Sequence, residues 1–169
     1  LWAISYESLY LISIDYKKDQ KGNMLGVDLR VEMEFSDLAG NNTNYTAMCQ
    51  SPEGIIYLAT DWGNVVTFDP VSYQMIDKGD LPKVNKVHVN RLLYADGYIW
   101  LSTWANGAIR YNPRSGKYDQ YTYKPEEKSR TLSHWDVYQM VPMGNGRLLA
   151  ATWNGYTILI PEKEDSTLY

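Results

Sequence analysis

Cysteine, histidine and positive charge are all scarce in this sequence. Cys49 is the only cysteine among 169 residues, which excludes an internal disulfide and leaves any thiolate metal centre without its other ligands. It stands in YTAMCQ, which reads as a strand, where a small packed residue is expected rather than a reactive thiol. His88 and His134 are the only two histidines and fall in different repeats, so no metal and no other cofactor is expected. Sixteen Lys and Arg face 20 Asp and Glu, for a net charge of −4, which argues against a nucleic-acid partner. No apolar run approaches the ~18 residues that a membrane-crossing helix needs. There is no Gly-x-Ser-x-Gly elbow, phosphate loop or His-Glu-x-x-His motif. Asp61 and Asp136 could be pictured as an acid/base couple near one face, but turn carboxylates are too common to support catalysis. The expectation is a protein that is not an enzyme. The chain opens on LWAIS, without methionine, and reads as a segment of something longer.

Tyrosine and tryptophan, by contrast, are plentiful: 15 Tyr and 6 Trp against 2 Phe. Both combine apolar area with a polar tip and suit half-buried strands as well as wet binding faces. With 44% hydrophobic and 21% charged residues, the composition is that of a folded globular chain.

Internal repetition organises the sequence. GIIYLATDWGNVVTFDP from Gly54, GYIWLSTWANGAIRYNP from Gly97 and GRLLAATWNGYTILIP from Gly146 share one plan. A glycine leads into an apolar run, a threonine, a tryptophan-bearing turn, a second apolar run and a proline. Thr60, Thr103 and Thr152 mark the copies, and LWAISYESLYLISID is a degenerate fourth with Ser5 in the threonine place. Each full copy has a further strand upstream, and downstream edges are visible in YQMIDKG and KYDQYTYK. Four short strands in ~45 residues, with no 3.6-residue apolar period, describe β-propeller blades. The fold expected is all-β, built of four-stranded antiparallel blades. Blade one is partial (1–40, with GVDLRVEMEF as its outer strand) and lacks an innermost strand; blades two, three and four span 45–79, 87–124 and 137–169. The reading is an arc of about four blades cut from a larger propeller, with closure as a small four-bladed propeller as the alternative. Open terminal edges would invite self-association.

These residues also carry a resemblance. GIIYLATDWGNVVTFDP, GYIWLSTWANGAIRYNPRSGKYDQYTY and TLSHWDVYQMVPMGNGRLLAATWNG resemble the two-component regulator propeller repeat of bacterial hybrid sensor histidine kinases. The family's second-strand tryptophan matches Trp2 and Trp100 but is Tyr57 and Leu149 in other copies, and its two-glycine turn has become a tryptophan with one glycine. The resemblance implies the periplasmic sensing region of a membrane-anchored receptor, reading an oligosaccharide or other small ligand outside.

The candidate site follows from propeller topology, in which the turns between second and third strands share one face. Trp62, Trp104 and Trp153 fall in those turns, accompanied by Asn64, Asn106 and Asn154. Indoles that stack on sugar C–H faces beside amides that take hydroxyls make a sugar platform; sealing of neighbouring blades would also repeat. Loops before the inner strands add Asn44, His88, Trp135 and Asp136, with His134 beside them. The other function class is a scaffold whose tryptophan face holds a protein partner.

Overall fold

The tightest hairpins are where local chemistry fixes the backbone most directly. In the computed structural model, Asp96-Gly97 has φ of 52° and 84° and Asn145-Gly146 has φ of 54° and 70°. Two successive positive φ angles are what a two-residue hairpin requires, and Asx-Gly pairs supply them at least cost. Residues 1–40, 43–61, 63–80, 87–127 and 131–161 are described by the structure. They divide into two units, Leu1–Tyr45 and Thr46–Tyr169.

The first unit is a three-stranded antiparallel sheet in chain order: β1 (Trp2–Ile4), β2 (Ser8–Lys18) and β3 (Met24–Ser36). β3 contains the expected GVDLRVEMEF strand and extends it at both ends. Leu9 is fully buried, Trp2 lies 6.0 Å from Phe35, and the Tyr45 hydroxyl accepts the Ala39 N–H at 3.2 Å.

In the second unit the sheets follow the repeats. β4 (Tyr45–Gln50), β5 (Ile56–Thr60), β6 (Asn64–Asp69) and β7 (Gln74–Asp80) form one four-stranded sheet. A second contains β8 (His88–Ala95), β9 (Tyr98–Trp104), β10 (Ala108–Tyr111) and β11 (Tyr118–Tyr121). The third has three described strands, β12 (Val137–Gly144), β13 (Arg147–Thr152) and β14 (Gly155–Leu159). All neighbours pair antiparallel. This is the blade architecture of a β-propeller.

Stacking of blades explains why the second strands read as nearly unbroken apolar runs. Side chains alternate across a strand, and in β9 both faces are covered. Ile99 and Leu101 join Tyr57, Ala59, Val65 and Val89 in one core, while Trp100 joins Leu148, Ala150, Met140 and Leu159 in another. Burying each large side chain contributes ~1.5–3 kcal/mol, so β9 belongs to the most strongly held part of the unit. The Asn90 amide adds a polar tie, donating to the Val137 carbonyl at 2.9 Å between inner strands of successive blades.

Candidate functional site

Each corner between second and third strands is closed by the repeated threonine, whose hydroxyl stays inside. Thr103 is fully buried and donates through Oγ1 to the Gly107 carbonyl at 2.6 Å. Thr152 donates to the Gly155 carbonyl at 3.2 Å, and the Thr60 hydroxyl accepts the Asn64 N–H at 3.1 Å. A side-chain oxygen thus replaces part of the ladder where the chain reverses. Sequence reading found the threonine as a repeat marker and missed this role.

With the inside of the corner closed, the tryptophan beside it is directed outward. Trp104, the last residue of β9, is 50% exposed, and Trp153, in the β13–β14 turn, is 69% exposed. Each has an aromatic ring neighbour on the inner strand of its own blade. Trp104 lies 4.8 Å from the ring of His88, its cross-strand partner on β8. Trp153 lies 6.1 Å from Tyr138 of β12, also in its own blade. His88 is exposed and opens a strand, whereas the sequence suggests a loop position for it. Trp62 lies outside the described residues.

Asp136 brings the two tryptophan corners together. Its carboxylate accepts the Ala105 N–H at 2.7 Å, and its backbone carbonyl accepts the Trp153 N–H at 3.1 Å. Ala105 needs such support, because its φ of 61° is a left-handed conformation that a residue with a Cβ adopts at a cost. The preceding loop is laced in as well. The Trp135 carbonyl accepts the Gly107 N–H at 2.8 Å, the Ser133 hydroxyl lies 2.7 Å from that of Thr152, and the Asp136 N–H donates to His134 Nδ1 at 3.0 Å. Trp135, 41% exposed, meets the Tyr123 ring edge-on at 5.6 Å. The structure therefore gathers Trp104, His88, Trp135, Asp136 and Trp153 around one junction, with Tyr138 and Tyr123 as members that the sequence did not single out.

The asparagines differ among themselves. Asn106 donates to the Trp104 carbonyl at 3.0 Å and accepts from Gln120 Nε2 through its own carbonyl at 2.9 Å, so it braces the corner. Asn154 is exposed beside Trp153. Asn64 opens β6, its N–H held by Thr60. Asn44 stands just before β4.

Away from this junction, a concavity of about 640 Å³ lies between β11 and β14 and includes Tyr121, Thr131, Leu132 and Ile158. Arg110 enters it from β10, buried to 7% exposure, with its guanidinium 4.7 Å from the Tyr98 ring and its Nε donating to Asp119 at 2.8 Å. Among the described residues, no three metal-ligating side chains come together. Cys49 sits on inner strand β4, and burial pushes its thiol up to about 12.

No protein-family model and no curated protein matches the chain. Solved structures do. The extracellular domain of the hybrid two component system BT4673 from B. thetaiotaomicron is 20% identical with a TM-score of 0.58, over 95% of this chain and 20% of that one. That of the hybrid two component system BT3049 from the same organism is 19% identical with a TM-score of 0.51, over 67% and 18%. A chain of an active polycomb repressive complex 2 in the basal state is 14% identical with a TM-score of 0.66, over 95% and 34%. This chain spans about a fifth of the length of the bacterial extracellular domains that it matches. At these identities the shared property is the fold.

Proposed function

We propose that the chain is a ligand-sensing segment of the periplasmic propeller of a hybrid two-component sensor, and that its tryptophan corners recognise an oligosaccharide. The observation that carries this reading is the junction at Asp136, where two exposed indoles, each backed by a second aromatic ring, are tied into one surface. Flat apolar rings interspersed with amide and imidazole groups match the alternating C–H faces and hydroxyls of a sugar. Two of the structures that share the fold are extracellular domains of hybrid two component systems, which supports a sensing role. In this reading the segment binds and releases its ligand unchanged, and its signal passes to the membrane-anchored remainder of the protein.

The test is a tryptophan-fluorescence titration with a panel of oligosaccharides. One class should shift the emission, and Trp104→Ala and Trp153→Ala should each weaken binding at least ~10-fold, as aromatic hot spots do, with the thermal unfolding transition retained. If no sugar shifts the emission and affinity capture returns a protein bound at the same corners, the surface is a scaffold for a partner. Turnover of a sugar would overturn both readings.

A further inference from the structure

The loop that ties the tryptophan corners together carries a histidine at its centre. On one side of it, Ser133 donates its N–H to the Thr157 hydroxyl at 2.9 Å, and its own hydroxyl lies 2.7 Å from that of Thr152. His134 is stacked on Tyr123, with ring centroids 6.2 Å apart and planes 22° apart. Its Nδ1 accepts the Asp136 N–H at 3.0 Å and lies 3.6 Å from Oδ2 of the same residue. A backbone N–H can only donate, so this bond requires Nδ1 without a proton. In the folded chain the neutral ring therefore carries its proton on Nε2.

Protonation reverses the sense of that contact. An imidazolium donates from both nitrogens and accepts from neither. Its Nδ1–H would then face the Asp136 N–H, while the Asp136 carboxylate offers an acceptor close by. Hydrogen bonds between two charged groups are the stronger kind, so the charged ring turns to the carboxylate and the N–H is released. We propose that His134 is a proton-operated latch on the tryptophan junction: neutral, it holds the Asp136 backbone; charged, it takes the Asp136 carboxylate and loosens the corners that Asp136 fastens. The latch acts on those corners whatever they bind.

The surroundings leave the choice to that one proton. Among the described residues, Asp136 is the charged group that His134 meets. Tyr123 meets the ring from the segment after β11, and β13 and β14 present the Thr152 and Thr157 hydroxyls to the loop. Lys124 and Glu127, just beyond Tyr123, pair with each other at 2.9 Å. The His134 side chain is 29% exposed, so protons reach it from solvent. The lever is short. The Trp135–Asp136 peptide is held at both ends, its N–H by His134 and its carbonyl by the Gly107 N–H. Asp136 Oδ1 accepts the Ala105 N–H beside Trp104, and the Asp136 carbonyl accepts the Trp153 N–H. A carboxylate drawn towards His134 and a freed peptide therefore disturb both corners. His88, the other imidazole, contacts Trp104 from β8 and provides a control.

Nuclear magnetic resonance of the isotope-labelled chain, with no ligand added, tests this. The range is about pH 8 to about pH 5, where imidazoles gain charge while most carboxylates keep theirs. At the alkaline end the His134 ring should show Nε2 protonated and Nδ1 bare. As the pH falls, the Ala105, Gly107, Asp136 and Trp153 amide signals should shift with the midpoint of the His134 ring. Hydrogen-exchange protection of the Asp136 amide should drop roughly 2- to 10-fold, the worth of one hydrogen bond. His134→Asn, whose side-chain oxygen can still accept the Asp136 N–H, should abolish these shifts and keep the alkaline signals. His88→Phe should leave the shifts of Asp136 and Trp153 in place. A bare Nε2 at the alkaline end, amides that do not follow the ring, or shifts that survive His134→Asn would overturn the proposal.

Discussion

The carboxylate of Asp136 holds the backbone N–H of Ala105 at 2.7 Å, across 31 positions of sequence. Through this bond a loop before one blade fixes the corner of the previous blade, and the same residue's carbonyl takes the Trp153 N–H. Hydrogen bonds to a charged acceptor are worth about 1.5–3 kcal/mol where water is limited, and Asp136 is roughly a third exposed. Asp136→Ala should therefore cost about 1–2 kcal/mol in urea unfolding and alter the near-ultraviolet circular dichroism of the indoles. Asp136→Asn keeps an acceptor oxygen and should lose less. Equal stability of Asp136→Ala and wild type would refute the fastening.

Two glycines with similar backbone angles should respond very differently to alanine. At Gly107 (φ 73°) a Cβ would lie 2.0 Å from the Tyr121 carbonyl oxygen and 3.0 Å from Leu132 Cδ1, whereas at Gly97 (φ 84°) it would meet open space. Gly97→Ala should cost only the left-handed penalty, about 1–2 kcal/mol. Gly107→Ala adds a backbone collision and should cost at least ~3 kcal/mol. Thermal denaturation of the two variants gives the comparison.

Stability should decline at high pH partly through Cys49. Burial raises its thiol from 9.0 to about 12 in the fold. The unfolded chain releases this proton near pH 9 and the folded chain retains it, so stability is fully present below pH 9 and is lost as pH rises towards about 12. The loss from this one group is at most ~4 kcal/mol. Burial also raises Tyr45 and Tyr57, which act in the same direction. Cys49→Ala should flatten this alkaline limb without abolishing it, and the native thiol should react with a disulfide reagent far more slowly than the thiol of the urea-unfolded chain.

The Arg110–Asp119 pair is asymmetric, with side chains 8% and 52% exposed. Asp119→Asn leaves a buried guanidinium without its counter-charge and should cost about 2–3 kcal/mol. Arg110→Met leaves a carboxylate that water already reaches and should cost less. The opposite ranking in chemical denaturation would show that the pair is held mainly by packing of the arginine stem.

The blades were legible because their determinants are local and repeated: Asp96-Gly97, Asn145-Gly146, and the alternation that surrounds Trp100. The site was legible only in outline. That Trp104 and Trp153 face outward follows from topology, but that they rest on His88 and Tyr138 depends on cross-strand register, which no single strand reveals. Asp136 stood out in the sequence as a candidate ligand-reading residue, but its fastening role was hidden for a similar reason, since its partners are an amide 31 residues back and a corner still to come.

Because Thr103 and Thr152 hold their corners from inside, the exposed Trp104 and Trp153 rings are not what closes the turns. A blade built this way separates its frame from its face: the buried threonine sets the corner, and the ring beside it can be exchanged without removing that closure.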